Sequence, residues 1–327
     1  MYRARRRRLL AGLVLVLPLA YTAGQLLNDT GQVRMPTART RNDQRRTSVS
    51  AVSWPLQGQA ALVIGNGRPA ASPHQQPVPV ASVAKVMTAY LLLDRYPLSG
   101  TEDGFTVTIS EAEAQEEAQD AAEDQSVAAV AAGEQLTERQ LLEALLIPSA
   151  NNIAELLASQ IAGSETRFVA EMNAEARVLG MDHTTYTDPS GWDTGTISTA
   201  ADQLRVFRAA MRFAVFRQIV SMATVTLPVA GTVTTFNPLI ADGYGGKTGS
   251  DSAAGGCLAF FIDVTVGRRR VTAVGVVLGQ GQGGDTSQIL AAAGSAAERL
   301  VQSAVPTSGT STLDAPGPGG APMRVVG

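Results

Sequence analysis

Ser82-Val83-Ala84-Lys85-Val86-Met87-Thr88-Ala89-Tyr90-Leu91-Leu92-Leu93 is a run of good helix formers with apolar residues at helical spacing, and Ser82 stands where a helix would begin. On that helix Ser82 and Lys85, three apart, project from one face and meet across a single turn. Lys85 is also one of only two lysines in 327 residues, against 24 arginines. An arginine keeps its charge at any physiological pH, whereas a lysine amine sheds its proton when buried or set beside another cation. A chain that carries its surface charge on arginine and keeps lysine twice points to proton transfer at those two positions. A neutral Lys85 would take the hydroxyl proton of Ser82, giving a serine nucleophile without histidine.

The other lysine opens Lys247-Thr248-Gly249-Ser250, preceded by Gly243, Gly245 and Gly246. Glycine at 249 lets a substrate backbone approach a strand edge, while Lys247 and Thr248 donate to a carboxylate. The run lacks the earlier glycine of a nucleotide-binding phosphate loop. Between the two lysines stands Ser149-Ala150-Asn151.

Outward from these motifs, Ala60 to Ile64 reads as a strand ending in a turn at Gly65-Asn66-Gly67. Cys257 to Val266 and Val271 to Leu278 read as a late hairpin turning at Gly267 to Arg270. Between them the periodicity predicts helices over Thr137 to Leu146, Asn152 to Ile161, Thr166 to Leu179 and Ala200 to Phe213. Strands from both ends with helices between imply an α+β fold: one sheet closed by distant segments, plus a helical insert.

Several residue groups exclude other chemistries. Seven acids lie within Glu111 to Gln125, but without a glycine-kinked calcium loop they read as a solvated helical face. His74 and His183, the only histidines, fall in loop-like contexts that offer no metal motif. The single Cys257 allows neither an intrachain disulfide nor a cysteine-based zinc cluster, and reads as a buried strand residue. No metal or cofactor is therefore expected.

The ends have a different character. Arg3 and Arg5 to Arg8 precede an apolar stretch from Leu9 to Ala23, the order of a secretory signal or an uncleaved membrane anchor, taken as residues 1–27. Residues 28–50 read as a polar linker, 51–303 as the folded part, and 304–327, rich in Pro, Gly, Ser and Thr, as a disordered tail. The first fifty residues carry +8, which leaves the remainder at −11 within a net charge of −3. An acidic outer domain disfavours nucleic acid as a partner.

Ser-x-x-Lys at 82–85, Ser-x-Asn at 149–151 and Lys-Thr-Gly at 247–249 follow the order found in penicillin-binding proteins and class A β-lactamases. With Leu141-Leu142 through Asn152, Met172-Asn173, Leu179-Gly180-Met181, Asp188-Pro189-Ser190-Gly191 and Ser198 to Asp202, the chain resembles the serine-type D-alanyl-D-alanine carboxypeptidases over about 51–303. The resemblance implies the β-lactamase/penicillin-binding (DD-peptidase) fold, an antiparallel sheet flanked by helices with a helical subdomain, and a site in the cleft between them. It implies Ser82 as nucleophile toward peptidoglycan stem peptides ending in D-Ala-D-Ala, with β-lactam antibiotics as covalent inhibitors. Lys85 would be the base, kept partly neutral by burial and by the nearby cation Lys247. Ser149 would relay a proton, Asn151 would hold Lys85 and the substrate amide, and Lys247 and Thr248 would bind the terminal carboxylate. The N–H groups of Ser82 and Ser250 would form the oxyanion hole.

The chain departs from the family pattern at Asp251, where members often carry Thr, and after Leu278, where Gly279-Gln280-Gly281 replaces a carboxylate-binding arginine. Such an enzyme would act outside the cytoplasm, at the membrane or in the wall. An endopeptidase on D-alanyl crosslinks uses the same motifs. A β-lactamase and a catalytically idle wall-binding protein are the more distant alternatives.

Overall fold

A computed structural model describes residues 52–305. The expected leader and linker, and the tail beyond Val305, lie outside the described residues. In chain order β1 (Gln59–Ile64) turns at Gly65–Gly67 into β2 (Ala70–Ala71), and β3 (Val78–Pro79) leads through a 3-10 turn at Ala81–Ala84 into α1 (Lys85–Arg95). Then come β4 (Thr106–Thr108), α2 (Glu111–Ala122), β5 (Gln135–Thr137), α3 (Glu138–Leu146), α4 (Asn151–Ala162) and α5 (Glu165–Val178). After β6 (Ile197–Ser198), α6 (Ala200–Ala210) and α7 (Ala214–Ile219), the strands β7 (Thr224–Leu227) and β8 (Gly231–Thr234) form a hairpin. The chain ends in β9 (Gly245–Asp251), β10 (Gly255–Val266), β11 (Arg269–Gln280) and α8 (Thr286–Ala304). Helix α8 thus runs one residue into the stretch expected to be tail.

Local chemistry sets the helix starts. Ser110 with Glu113, Thr137 with Gln140, and Asp285 with Gln288 form reciprocal capping boxes that satisfy amides at the first turns of α2, α3 and α8. Two boundaries differ from the sequence expectation. Ser82 lies in the 3-10 turn and Lys85 opens the α-helix, because Ala81, at φ +45°, turns the chain too sharply for an α-helical entry. The helix expected over Ala200 to Phe213 breaks after Ala210. Extended backbone at Phe213 folds α7 back so that Phe216 packs edge-on against Phe207, with ring centroids 5.7 Å apart.

The main sheet has the order β2-β1-β11-β10-β9, antiparallel throughout. Side chains alternate across it. Ala60 and Leu62 of β1, Leu258 and Phe260 of β10, and Ala273 and Val277 of β11 meet Ala293, Ala297 and Leu300 of α8. Ala61, Val63, Cys257, Ala259, Val276 and Leu278 point the other way into the larger core shared with α1, α3, α4 and α6. Cys257 is fully buried, and burial pushes its thiol up to about 12, as suits an inert packing residue. Among the described residues no helix is long and apolar enough to cross a membrane.

Edge strand β9 borders the 3-10 turn that carries Ser82. The cleft therefore lies where the sheet ends and the helical part begins.

Candidate active site

Residues three apart eclipse one another on a 3-10 turn. Lys85 Nζ accordingly stands 2.9 Å from Ser82 Oγ. It also lies 2.6 Å from Asn151 Oδ1 and 2.9 Å from the Ser190 carbonyl. These last two oxygens can only accept. In its neutral form the amine would give both N–H bonds to these oxygens and leave its lone pair toward Ser82 Oγ, an arrangement in which a base can face a nucleophile. Lys85 is fully buried while Ser82 is only half-buried, so the hydroxyl is the member of the group open to a substrate.

The second lysine sits across the cleft on β9. Lys247 Nζ donates to Ser149 Oγ at 2.9 Å and to the Thr248 carbonyl at 2.9 Å, and it is 1% exposed. Ser149 holds φ +66°, in the left-handed region that costs a non-glycine residue about 1 kcal/mol or more. That bend separates the end of α3 from the start of α4 and turns the hydroxyl toward Lys247. Strand β9 reaches the Ser82 turn closely enough that a Cβ at Gly249 would stand 2.7 Å from the Val80 carbonyl oxygen and 3.1 Å from the Ser82 nitrogen. Glycine is what permits this approach. Thr248 is buried and Ser250 half-buried beside it.

Among the described residues no carboxylate lies within ion-pair distance of either lysine. Burial lowers Lys85 to about 7, against the opposing pull of Asp188 and Glu155. Lys247 is held well below the ordinary lysine range, first by burial and then by the charge on Lys85. Burial, which the sequence reading named together with Lys247, is the main cause at both sites, and the two carboxylates make Lys85 the better-supported cation of the pair while the cleft is empty.

Two contributors had no assigned role in the sequence reading. Asp188 is buried, and its carboxylate accepts from the N–H groups of Ser190, Gly191 and Trp192 and from the hydroxyls of Ser190 and Thr196. This clamp fixes the Ser190 carbonyl on Lys85. Asp-Pro-Ser-Gly is a legible turn, but nothing in it reveals that one carbonyl points at an amine. The other contributor corrects the view of Glu111 to Gln125 as only a solvated face. Most of α2 is exposed, yet Asp120 is buried and Gln125 Oε1 accepts from Asn151 Nδ2 at 2.6 Å.

The two departures acquire structural accounts. Asp251 Oδ1 accepts from the amides of Ala253 and Ala254 and closes the turn between β9 and β10. Gln280 is buried and donates to the carbonyls of Gln57 and Leu278, pinning the segment before β1 to β11. Of the histidines, His183 donates its backbone N–H to Asp202.

Comparison with known proteins gives the same grouping. The profile of the family described as D-alanyl-D-alanine carboxypeptidase matches residues 68–281. A D-alanyl-D-alanine endopeptidase of Pseudomonas aeruginosa is 34% identical over 143 residues, covering 43% of this chain and 42% of its own. A D-alanyl-D-alanine carboxypeptidase of Mycobacterium tuberculosis is 37% identical over 153 residues, covering 46% of this chain and 48% of its own. The chain thus spans about half the length of these curated relatives. Among solved structures, a Streptomyces DD-transpeptidase superposes with a TM-score of 0.64 at 25% identity, over 77% of this chain and 99% of that one. A penicillin-binding protein homologue of Mycobacterium tuberculosis reaches 0.62 at 28%, over 79% and 94%.

Proposed function

The chain belongs to the D-alanyl-D-alanine carboxypeptidase family, and on that premise we propose that it removes the terminal D-alanine from peptidoglycan stem peptides through an acyl-enzyme on Ser82. The observation that carries this reading is a buried lysine that, among the described residues, has no carboxylate within ion-pair distance and hydrogen-bonds to one hydroxyl and two acceptor oxygens. That arrangement suits proton abstraction.

The terminal carboxylate of the substrate enters beside Lys247, Thr248 and Ser250. Its negative charge supports a proton on Lys247, and the cation so formed disfavours a second one on Lys85. Substrate binding therefore readies the base. Ser82 Oγ attacks the carbonyl of the penultimate D-alanine and its proton passes to Lys85. The developing oxyanion is met by the amides of Ser82 and Ser250, whose preorganised dipoles lower the barrier. The C–N bond then breaks and the proton taken up by Lys85 passes by way of Ser149, next to Lys247, to the departing amine, which leaves Lys85 neutral again. Water attacks the ester with Lys85 again as base, releasing the shortened peptide and restoring Ser82. A β-lactam, whose amide mimics the same bond, would stop at the acyl stage. We place the enzyme outside the cytoplasm, held at the membrane by residues 1–27 or released into the wall.

A second reading has support of its own, since relatives from Pseudomonas aeruginosa and Escherichia coli are named endopeptidases. Crosslink cleavage uses the same steps with a larger leaving amine. The test is D-alanine release by the full chain from a peptide ending in D-Ala-D-Ala, run beside a crosslinked dimer peptide, with Ser82→Ala as control. Release that the variant loses supports the first reading. Cleavage of the dimer alone moves the assignment to the second, and neither product from folded protein overturns both.

A further inference from the structure

Gln125 joins the site from a segment that no motif marks. Its Oε1 accepts from Asn151 Nδ2 at 2.6 Å, and its Nε2 donates to Asp120 Oδ1 at 3.1 Å and Glu123 Oε2 at 3.3 Å. The backbone around it is tied down. Gln125 N–H donates to the Asp120 carbonyl and Asn151 N–H donates to the Ser126 carbonyl, while the Asn152 side chain pairs with both the N–H and the carbonyl of Ala128. Asp124, just before it, is one of three non-glycine residues at positive φ among the described residues. The other two are Ala81, next to Ser82, and Ser149. The bends at Ala81 and Ser149 set reacting groups in place, and the one at Asp124 immediately precedes Gln125.

We propose that Gln125 is a positioning residue that fixes which end of the Asn151 amide faces Lys85, an inference that rests on reading Lys85 as the base. The polarity runs in one direction. Asp120 Oδ1 and Glu123 Oε2 stand as acceptors to the NH2 end of Gln125 and leave its oxygen toward Asn151. That oxygen in turn holds the NH2 end of Asn151, leaving the Asn151 oxygen on Lys85. An inverted Asn151 would set two oxygens face to face at Gln125 and aim an N–H at the Lys85 lone pair. The lone pair would then be occupied and unable to take the Ser82 proton. A distant carboxylate thus determines, through two amides, that the amine presents its basic face to the nucleophile.

The test uses the full chain as wild type, Gln125→Leu and Gln125→Glu, each checked for folding by its thermal melt. Stopped-flow reaction with a fluorescent penicillin separates the acylation rate constant from the dissociation constant of the initial complex. D-alanine release from the D-Ala-D-Ala peptide is followed in parallel. Gln125→Leu should slow acylation about tenfold while changing the initial affinity by less than about twofold. Gln125→Glu keeps an acceptor for Asn151, but only its protonated form can donate to Asp120 and Glu123, so its acylation rate relative to wild type should recover as the pH falls, a trend that Gln125→Leu should lack and that a merely structural role would not produce. An acylation rate for Gln125→Leu within about twofold of wild type, or a Gln125→Glu variant whose rate relative to wild type does not rise as the pH falls, would overturn the inference while leaving the function intact. If Gln125→Leu does not fold, Gln125→Ala takes its place. Wild type that neither reacts with penicillin nor releases D-alanine would instead remove the reading of Lys85 on which the inference stands.

Discussion

Exchanging Asn151 for Asp puts a charged oxygen where a neutral one lies 2.6 Å from Lys85 Nζ. At that separation, with an effective dielectric of about 20, the attraction is about 6 kcal/mol, an upper bound for a pair beside an open cleft. Opposite charges in contact move a pKa by about one to three units in practice. Taking about two, the Lys85 midpoint rises from about 7 to about 9. The sign is unambiguous, because a neighbouring anion favours the ammonium form and so removes the base. At pH 7 the neutral fraction falls from about one half to about one hundredth, and acylation should slow about fiftyfold. The loss should be recovered as the pH rises through about 9. The measurement is the acylation rate constant with a chromogenic β-lactam from about pH 5 to 10 for both proteins. A variant whose midpoint stays at the wild-type value, whatever its plateau, would refute the electrostatic reasoning.

Three further outcomes follow from the packing. Gly249→Ala drives a methyl to 2.7 Å from the Val80 carbonyl, so the variant should lose about 1–3 kcal/mol in urea unfolding and most of its acylation rate as β9 backs away from Ser82. Asp188→Ala removes a buried carboxylate and leaves its five donors without their acceptor; it should cost at least about 3 kcal/mol, read as a lower urea midpoint at unchanged slope. Glu138 is buried with one unpartnered oxygen, and burial raises its carboxyl to about 7. A folded-state value above the unfolded one means that its contribution is fully present below about pH 4 and is lost as the pH rises through 7, by about 2 kcal/mol after allowance for solvent screening. Glu138→Gln should flatten that decline, and parallel urea-stability profiles for variant and wild type would contradict it.

The sheet and most helices were legible because their signals are local. β10 starts slightly before the predicted strand and ends with it at Val266, β11 runs slightly beyond its predicted span at both ends, and the helices at Glu138, Asn151 and Glu165 begin within one residue of expectation. The 3-10 turn at Ser82 was not legible, since it depends on a positive φ at an alanine, which composition does not announce. In the cleft, the two lysines and their motif neighbours stood out through rarity and order. Asp188 and Gln125 did not. Each acts through a carbonyl or amide whose direction exists only after remote segments have met, and an acidic, glutamine-rich helix end looks the same whether it faces water or Asn151.

The sheet has a consequence for when the enzyme comes into being. β1, near the start of the described chain, hydrogen-bonds along its length to β11, near its end, and β9 supplies Lys247 from the opposite edge. Pairings this remote in sequence make folding slow and all-or-none, because loop closure must precede any reward from the contacts. A nascent chain stopped before β11 would leave β1 without its neighbour and would leave β9 and β10, with Lys247, unjoined to β1. Assembly of the cleft is therefore a late event in folding, and any factor that delays synthesis of β11 delays the appearance of the proposed site in equal measure.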